Sequence, residues 1–206
     1  MLFALGRVYA KRRDSRADAL AERLRDAPEG RALWQQLRGL VLQQENRHDQ
    51  ALTAFEAAAA LNDALPRIFV NIGVSHLALG DHATARQAFE TARKRSERDV
   101  AAYLYLAWLD EQDEQLPEAQ RHAERAVALD DVAESRGLLG RILIKQGKNA
   151  AAIDHLARAV AAAPQNASWR FLLAQAYQRT GNAKAAANEF AEARRLKEQE
   201  VARERK

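Results

Sequence analysis

The sequence predicts an all-α protein, an α-solenoid of about six helix-turn-helix hairpins, and three observations carry that expectation. Small residues recur in register: Ala51, Ala85, Ala119, Ala152 and Ala186 are separated by 34, 34, 33 and 34 residues. Three further phases keep the same period and the same short step, at Gly39, Gly73, Ala107, Gly140 and Ala174; at Phe55, Phe89, Ala123, Leu156 and Phe190; and at Ala58, Ala92, Ala126, Ala159 and Ala193. Glycine-centred triplets punctuate the units at Leu79-Gly80-Asp81, Gln146-Gly147-Lys148 and Thr180-Gly181-Asn182. A shared period of this length marks a repeat architecture, in which each unit packs on its neighbours alone.

Each unit divides into two helices. The glycine or alanine mark sits in the first helical pattern, and the other three marks fall at i, i+4 and i+7 along the second. Two helices cross at the usual separation of about 8 to 10 Å only where the contact residues are small. The large residue of the third phase then fills the space left beside the crossing. Glycine in the turn supplies the positive φ that ends a first helix.

At these residues the chain resembles the tetratricopeptide repeat family, whose members carry small residues at the four marks and glycine at the turn. The resemblance implies a right-handed superhelix, and it covers five units at 32–65, 66–99, 100–132, 133–166 and 167–200. A degenerate sixth unit, 1–31, precedes them: Leu5-Gly6 and Tyr9 match the first-helix pattern, and Ala17, Ala21 and Leu24 stand in for the second. Residues 194–206 read as a charged extension of the last helix. The whole chain is thus expected to be a single solenoid. Departures are specific. The bulky apolar residue expected early in the first helix is Gln35, Arg136 and Arg170 in three units, with Trp34 and Trp169 one residue earlier, and the proline after the second helix survives clearly only as Pro164.

Composition narrows the function classes. The chain has 206 residues, 48% of them hydrophobic, and no cysteine, so disulfides, thiolate metal sites and a cysteine nucleophile are excluded. The net charge is +4 over 32 basic and 28 acidic residues. Basic residues gather at the ends, while Asp110, Glu111, Asp113, Glu114 and Glu118 form a central acidic block, read as solvated surface. A nucleic-acid groove would instead carry a continuous basic stripe interleaved with aromatics. No nucleic acid is therefore expected as partner. Gly140 to Lys148 imitates a phosphate loop, but its second glycine comes two residues late and Asn149 replaces the magnesium-holding hydroxyl. The histidines follow the repeat, His48 with His82 and His122 with His155, and none are paired at the i, i+4 spacing of a helical zinc site. No metal, cofactor or enzymatic activity is expected.

No stretch approaches the roughly 20 apolar residues needed to cross a membrane. The chain as written reads as cytoplasmic. Leu2 and Phe3 ahead of Lys11-Arg12-Arg13 would suit the remnant of an upstream anchor, which would place the protein in the periplasm or at a membrane. The apolar face begun by Leu2, Phe3 and Leu5 also suggests self-association through the N-terminal repeat.

Function is expected on the concave groove lined by the first helices. Helical phase places Val70, Asn71 and Val74 there, then Leu104, Tyr105 and Trp108, then Gly137, Arg141 and Lys145, then Phe171, Gln175 and Arg179. Gly137 is expected to leave a hollow between Leu104 and Phe171, with positive charge beside it from Arg141, Lys145 and Arg179. The partner would be a protein or peptide with an apolar anchor and acidic residues. Some family members grip the C-terminus of heat-shock chaperones with a carboxylate clamp. Asn71 matches one clamp position, but Gln36, Leu40, Ala101 and Tyr105 depart from the others. The expected role is a non-enzymatic scaffold binding a peptide or helix. Arginine-over-lysine and alanine-rich usage suggests a bacterial source, where similar proteins act as adaptors in pilus, secretion or envelope assembly. The alternative is an interaction domain cut from, or acting beside, an enzyme such as a sugar or sulfate transferase.

Overall fold

The period seen in the sequence becomes a succession of helical hairpins. The computed structural model describes residues 30–204 together with Arg16, Ala19 and Leu24; the degenerate unit, its apolar Leu2, Phe3 and Leu5, and the last two residues lie outside the described residues. The helices are α1 (Arg31–Gln44), α2 (His48–Leu61), α3 (Ile68–Ala78), α4 (His82–Arg95), α5 (Val100–Gln112), α6 (Leu116–Leu129), α7 (Ala133–Lys145), α8 (Asn149–Ala162), α9 (Ala167–Arg179) and α10 (Ala183–Glu204). Consecutive helices pack as the hairpins α1–α2, α3–α4, α7–α8 and α9–α10, and the first helix of a hairpin packs on the one before it, α3 on α2 and α9 on α8. The packing falls into two compact units, one ending at Ala102 and the other beginning at Tyr103. The first is built around Phe55, Ala51, Ala58, Ile68 and Ile72, the second around Ala107, Ala123, Leu139, Ile142 and Leu156.

The four sequence phases are the inside of these hairpins. Ala51, Ala85, Ala119 and Ala152 are all fully buried. A methyl group added at Gly39 would come within 2.5 Å of the Phe55 ring, and one at Gly73 within 2.5 Å of the Phe89 ring. At Gly140 it would meet Leu156 at 2.5 Å. Glycine in these first helices therefore makes room for a large side chain from the second helix. Where the first helix has Ala107, the facing position is Ala123, and both are fully buried. The Ala107–Ala123 pair keeps the crossing with less side-chain volume than the glycine–phenylalanine pairs.

The turns keep the same register in the backbone. Within the hairpin turns, positive φ occurs at Asn46 (60°), Gly80 (81°), Glu114 (58°), Gly147 (77°) and Gly181 (83°), one per repeat, and it occurs again at Arg67 (62°) just ahead of α3. Asn tolerates the left-handed region through its short polar side chain, whereas Glu114 bears its steric cost. Side chains close the opposite ends. Asp81 Oδ1 accepts from the Thr84 backbone N–H at 3.0 Å, and Asn166 Oδ1 from the Trp169 N–H at 3.1 Å. The Thr84 hydrogen bond holds the Asp81 carboxyl below its ordinary pKa.

Two of the polar departures early in the first helices are matched by polar partners. Tyr103 lies against His122, with ring centroids 6.1 Å apart. One repeat on, Arg136 donates to His155 Nδ1 at 3.1 Å and bonds both carboxylate oxygens of Asp131. A repeat further, Arg170 reaches Glu189 at 2.8 Å and the Pro164 carbonyl at 2.9 Å. His155 Nδ1 accepts that bond only while unprotonated, and burial, reinforced by the Arg136 charge, lowers the His155 pKa. Arg136 and Arg170 are thus answered at the facing position of the second helix, whereas Gln35 faces Ala54 and its Oε1 is buried without a hydrogen-bond partner.

Two outcomes check this register. Ala85→Leu is expected to overpack its hairpin and lower stability by about 1 to 3 kcal/mol, read as a fall in the urea midpoint, while Ala83→Leu at an exposed neighbouring position leaves it unchanged. Glu114→Gly is expected to raise stability by about 0.5 to 1 kcal/mol by removing the left-handed strain, measured as a higher melting temperature.

Candidate partner-binding surface

The expected site residues fall in both units, and each unit is described on its own. In the first, Val70 is only 1% exposed and belongs to the core rather than to a surface. Asn71 and Val74 are half-buried on α3. Gln43 of α1 donates to the Asn71 carbonyl and to Ser75 Oγ, both at 3.2 Å, so this stretch of α3 is tied to the preceding hairpin.

In the second unit, Tyr103, Leu106, Ala107 and Asp110 form the buried stripe of α5. Leu104, Tyr105 and Trp108 lie off that stripe and are half-buried. The stripe and the off-stripe residues differ because helical phase turns each residue about 100° from its neighbour. Asp110 is drawn inward by His122 Nδ1, 2.7 Å from its Oδ2.

The expected hollow over Gly137 is filled. A methyl group at Gly137 would stand 2.3 Å from Trp169 Nε1 and 2.6 Å from its Cε2, so the indole lies directly on the glycine. The missing side chain of α7 is replaced by a ring from α9. The displacement of Trp169 by one position, visible in the sequence, is the signal that could have shown this. Phe171, on the same helix, is 47% exposed. Gln175 is half-buried, and Arg179 Nη1 donates to the Ile144 carbonyl at 3.2 Å.

The positive cluster is also committed within the fold. Arg141 Nη2 lies 2.5 Å from Glu111 Oε2, and Lys145 Nζ lies 2.9 Å from Glu111 Oε1. The Glu111 side chain is 1% exposed, while Arg141 and Lys145 are 38% and 46% exposed. A carboxylate this deep is stable only when paired. Arg141 and Lys145, one turn apart on α7, each take one of its oxygens. Glu111 and Asp110 thus leave the acidic block that the sequence suggested was solvated; Asp113 and Glu114 stay exposed and Glu118 half-buried. The three charges sum to one positive charge at this face, rather than the two expected from Arg141 and Lys145 alone.

Among the described residues, no group of three or more histidines and carboxylates is placed to hold a metal ion. No helix among them is long and apolar enough to cross a membrane. The surface has the means to hold a chain by apolar contact, hydrogen bonds and charge.

Because either cation can compensate Glu111, Arg141→Met and Lys145→Met are each expected to cost little alone. The double variant leaves the carboxylate uncompensated and is expected to lose about 3 kcal/mol. A double-mutant cycle by denaturation checks this, the coupling showing as a loss in the double variant well above the sum of the single losses.

A family model described as tetratricopeptide repeat matches residues 70–134, 108–167 and 138–201. Among solved structures, MamA 41-end from Desulfovibrio magneticus RS-1 is similar at 19% identity and a TM-score of 0.71, over 82% of this chain and 96% of that one. YrrB, described as a TPR protein with an unusual peptide-binding site, is similar at 20% identity and a TM-score of 0.65, over 80% and 86% of the two chains. The APC/C hetero-tetramer Cut9–Hcn1 is similar at 18% identity and a TM-score of 0.76, over 91% of this chain and 38% of that one. No curated protein matches the chain in sequence. With the in-register phases buried in successive hairpins, the half-buried Phe190 apart, and the family model spanning more than half of its length, the chain belongs to the tetratricopeptide repeat family.

Proposed function

We propose that this protein is a non-enzymatic interaction module that holds a peptide or helix of a partner protein, with Trp108 as its main anchor. The observation that carries this reading is the position of Trp108: half-buried, on a helix whose packing stripe is already complete through Tyr103, Leu106, Ala107 and Asp110. A tryptophan off the buried stripe and partly open to solvent belongs to a residue type enriched among interface hot spots. Leu104 and Tyr105 flank it on the same helix and extend the apolar face.

Peptide capture by YrrB, as that protein is described, supports the reading by analogy of fold. The single net positive charge of the Glu111, Arg141 and Lys145 cluster, with Arg179 nearby on α9, favours a partner carrying an acidic residue beside its apolar one. The finer role we assign is that of an adaptor in a bacterial assembly such as a pilus, secretion or envelope complex, supported by the arginine- and alanine-rich composition.

The test is Trp108→Ala, measured for folding and for binding. The variant is expected to keep its melting temperature within a few degrees while losing at least about 2 kcal/mol of binding to peptides selected on an array by the parent protein. Truncating a core tryptophan would instead cost about 3 to 5 kcal/mol of stability. A collapse of the melting temperature would make Trp108 a core residue, and unchanged binding would move the site elsewhere.

A further inference from the structure

The last hairpin differs from the others in one respect. Phe171 of α9 is the repeat equivalent of Gln36, Val70, Leu104 and Gly137; Val70 is buried, Leu104 half-buried, and Gln36 and Gly137 are closed at or just ahead of the following first helix. Gln36 is 2% exposed and donates to the Pro66 carbonyl at 2.8 Å, just ahead of α3. Gly137 lies under the Trp169 indole of α9. Phe171 is 47% exposed, and no described residue covers it in that way. Phe190 of α10 shows the same pattern: its equivalents Phe55 and Phe89 are fully buried, whereas Phe190 is half-buried with its ring edge-on to Phe171 at 5.5 Å.

These rings stand in a groove of about 1280 Å³ between the N-terminal half of α9 and the C-terminal half of α10. That volume exceeds the roughly 300 to 1,000 Å³ of a small-molecule site. Phe171, Leu172, Phe190 and Ala193 give it an apolar floor. Its walls carry Arg194, Lys197 and Arg203 against one carboxylate, Glu200, which Lys197 already holds at 2.8 Å. Arg141, on the opposite side, is held by Glu111. Arg194 and Arg203 therefore leave the groove positive.

We propose that this groove takes an amphipathic α-helix of a partner protein, seated as the first helix of a next repeat would be, with its apolar stripe on Phe171 and Phe190 and acidic residues facing Arg194 and Arg203. The helical form follows from Gly137, closed by Trp169 in the first turn of α9, and from Gln36, closed by the Pro66 carbonyl just ahead of α3. The acidic flank follows from the charge of the walls. The groove shares Arg141 with the cluster paired to Glu111, but its aromatic floor is Phe171 and Phe190 and not Trp108, so Trp108→Ala is expected to leave this binding unchanged.

The probe is a labelled synthetic peptide of sequence 167–179 of this chain, the segment that covers Gly137, carrying Arg170→Glu and Arg179→Glu; the unaltered peptide is its basic counterpart. Binding to the full chain is followed by fluorescence anisotropy. The acidic peptide is expected to bind at least roughly tenfold more tightly than the basic one. Phe171→Glu in the protein should weaken it by a similar factor, and so should Arg194→Glu combined with Arg203→Glu. Circular dichroism reports folding, and Phe171→Ala serves as the milder variant if Phe171→Glu unfolds the chain. The proposal is overturned if the acidic peptide shows no binding up to about 1 mM, if both peptides bind equally, or if Phe171→Ala and the arginine variants bind it as the parent does. A concentration-dependent dimer in sedimentation that Phe171→Ala dissolves would also overturn it, by assigning the groove to a second copy.

Discussion

The close crossing of the two helices in each hairpin is the constraint on which the rest of the structure depends. It is set by a first-helix residue with almost no side chain. At Gly39 and Gly73 the opposing phenylalanine lies so near that even a methyl group would collide with its ring. The ring in turn adds a large buried apolar area, since an aromatic side chain removes about 150 to 250 Å² from water. Closeness and bulk are thus complementary. Where Ala107 occupies the first helix, Ala123 gives way on the second, and the crossing survives with a smaller ring-free core.

A second rule acts at the entrance to each hairpin, where an early first-helix side chain meets one on the second helix. Tyr103 with His122, Arg136 with His155 and Arg170 with Glu189 occupy equivalent places with different chemistry. At Arg136 and Arg170 a hydrogen-bonding partner offsets the desolvation cost, whereas Gln35, facing Ala54, leaves its Oε1 buried and unpartnered. The repeat therefore fixes position, and leaves polarity to be settled pair by pair.

The sequence made the hairpins, their crossing residues and the turn glycines legible, because all three recur at one period and depend on contacts within a repeat. Glu114 was not legible as a turn residue, since only its alignment with Gly80 and Gly147 assigns it positive φ, and side-chain preference argues against it. The candidate surface was legible only in part. Helical phase alone separated Trp108 from the buried stripe of α5. The same phase put Val70 on a surface, although it is core, because phase says which way a side chain points and not whether another helix lies there. The occupancy of Gly137 by Trp169 and of Glu111 by Arg141 and Lys145 arises between repeats. Such contacts leave a weaker trace in the sequence, opposite charges or a bulky and an absent side chain spaced by nearly one period.

Glu111 shows how such a contact changes the character of a surface. Arg141 and Lys145, taken alone, would present two positive charges on α7 to any acidic chain. With a carboxylate buried beneath them, most of their field is directed inward, and what reaches solvent is the residue of one charge among three. Charges held this way give a partner hydrogen-bond donors in fixed positions more than they give it long-range attraction, which salt screens within about 10 Å. On the proposed function, affinity would then come mainly from apolar contact at Trp108 and its neighbours, with the paired cations setting orientation. The walls of the terminal groove contrast with this arrangement: Arg194 and Arg203 stand against a single acidic side chain already engaged by Lys197, and there charge can contribute to selection as well as to placement.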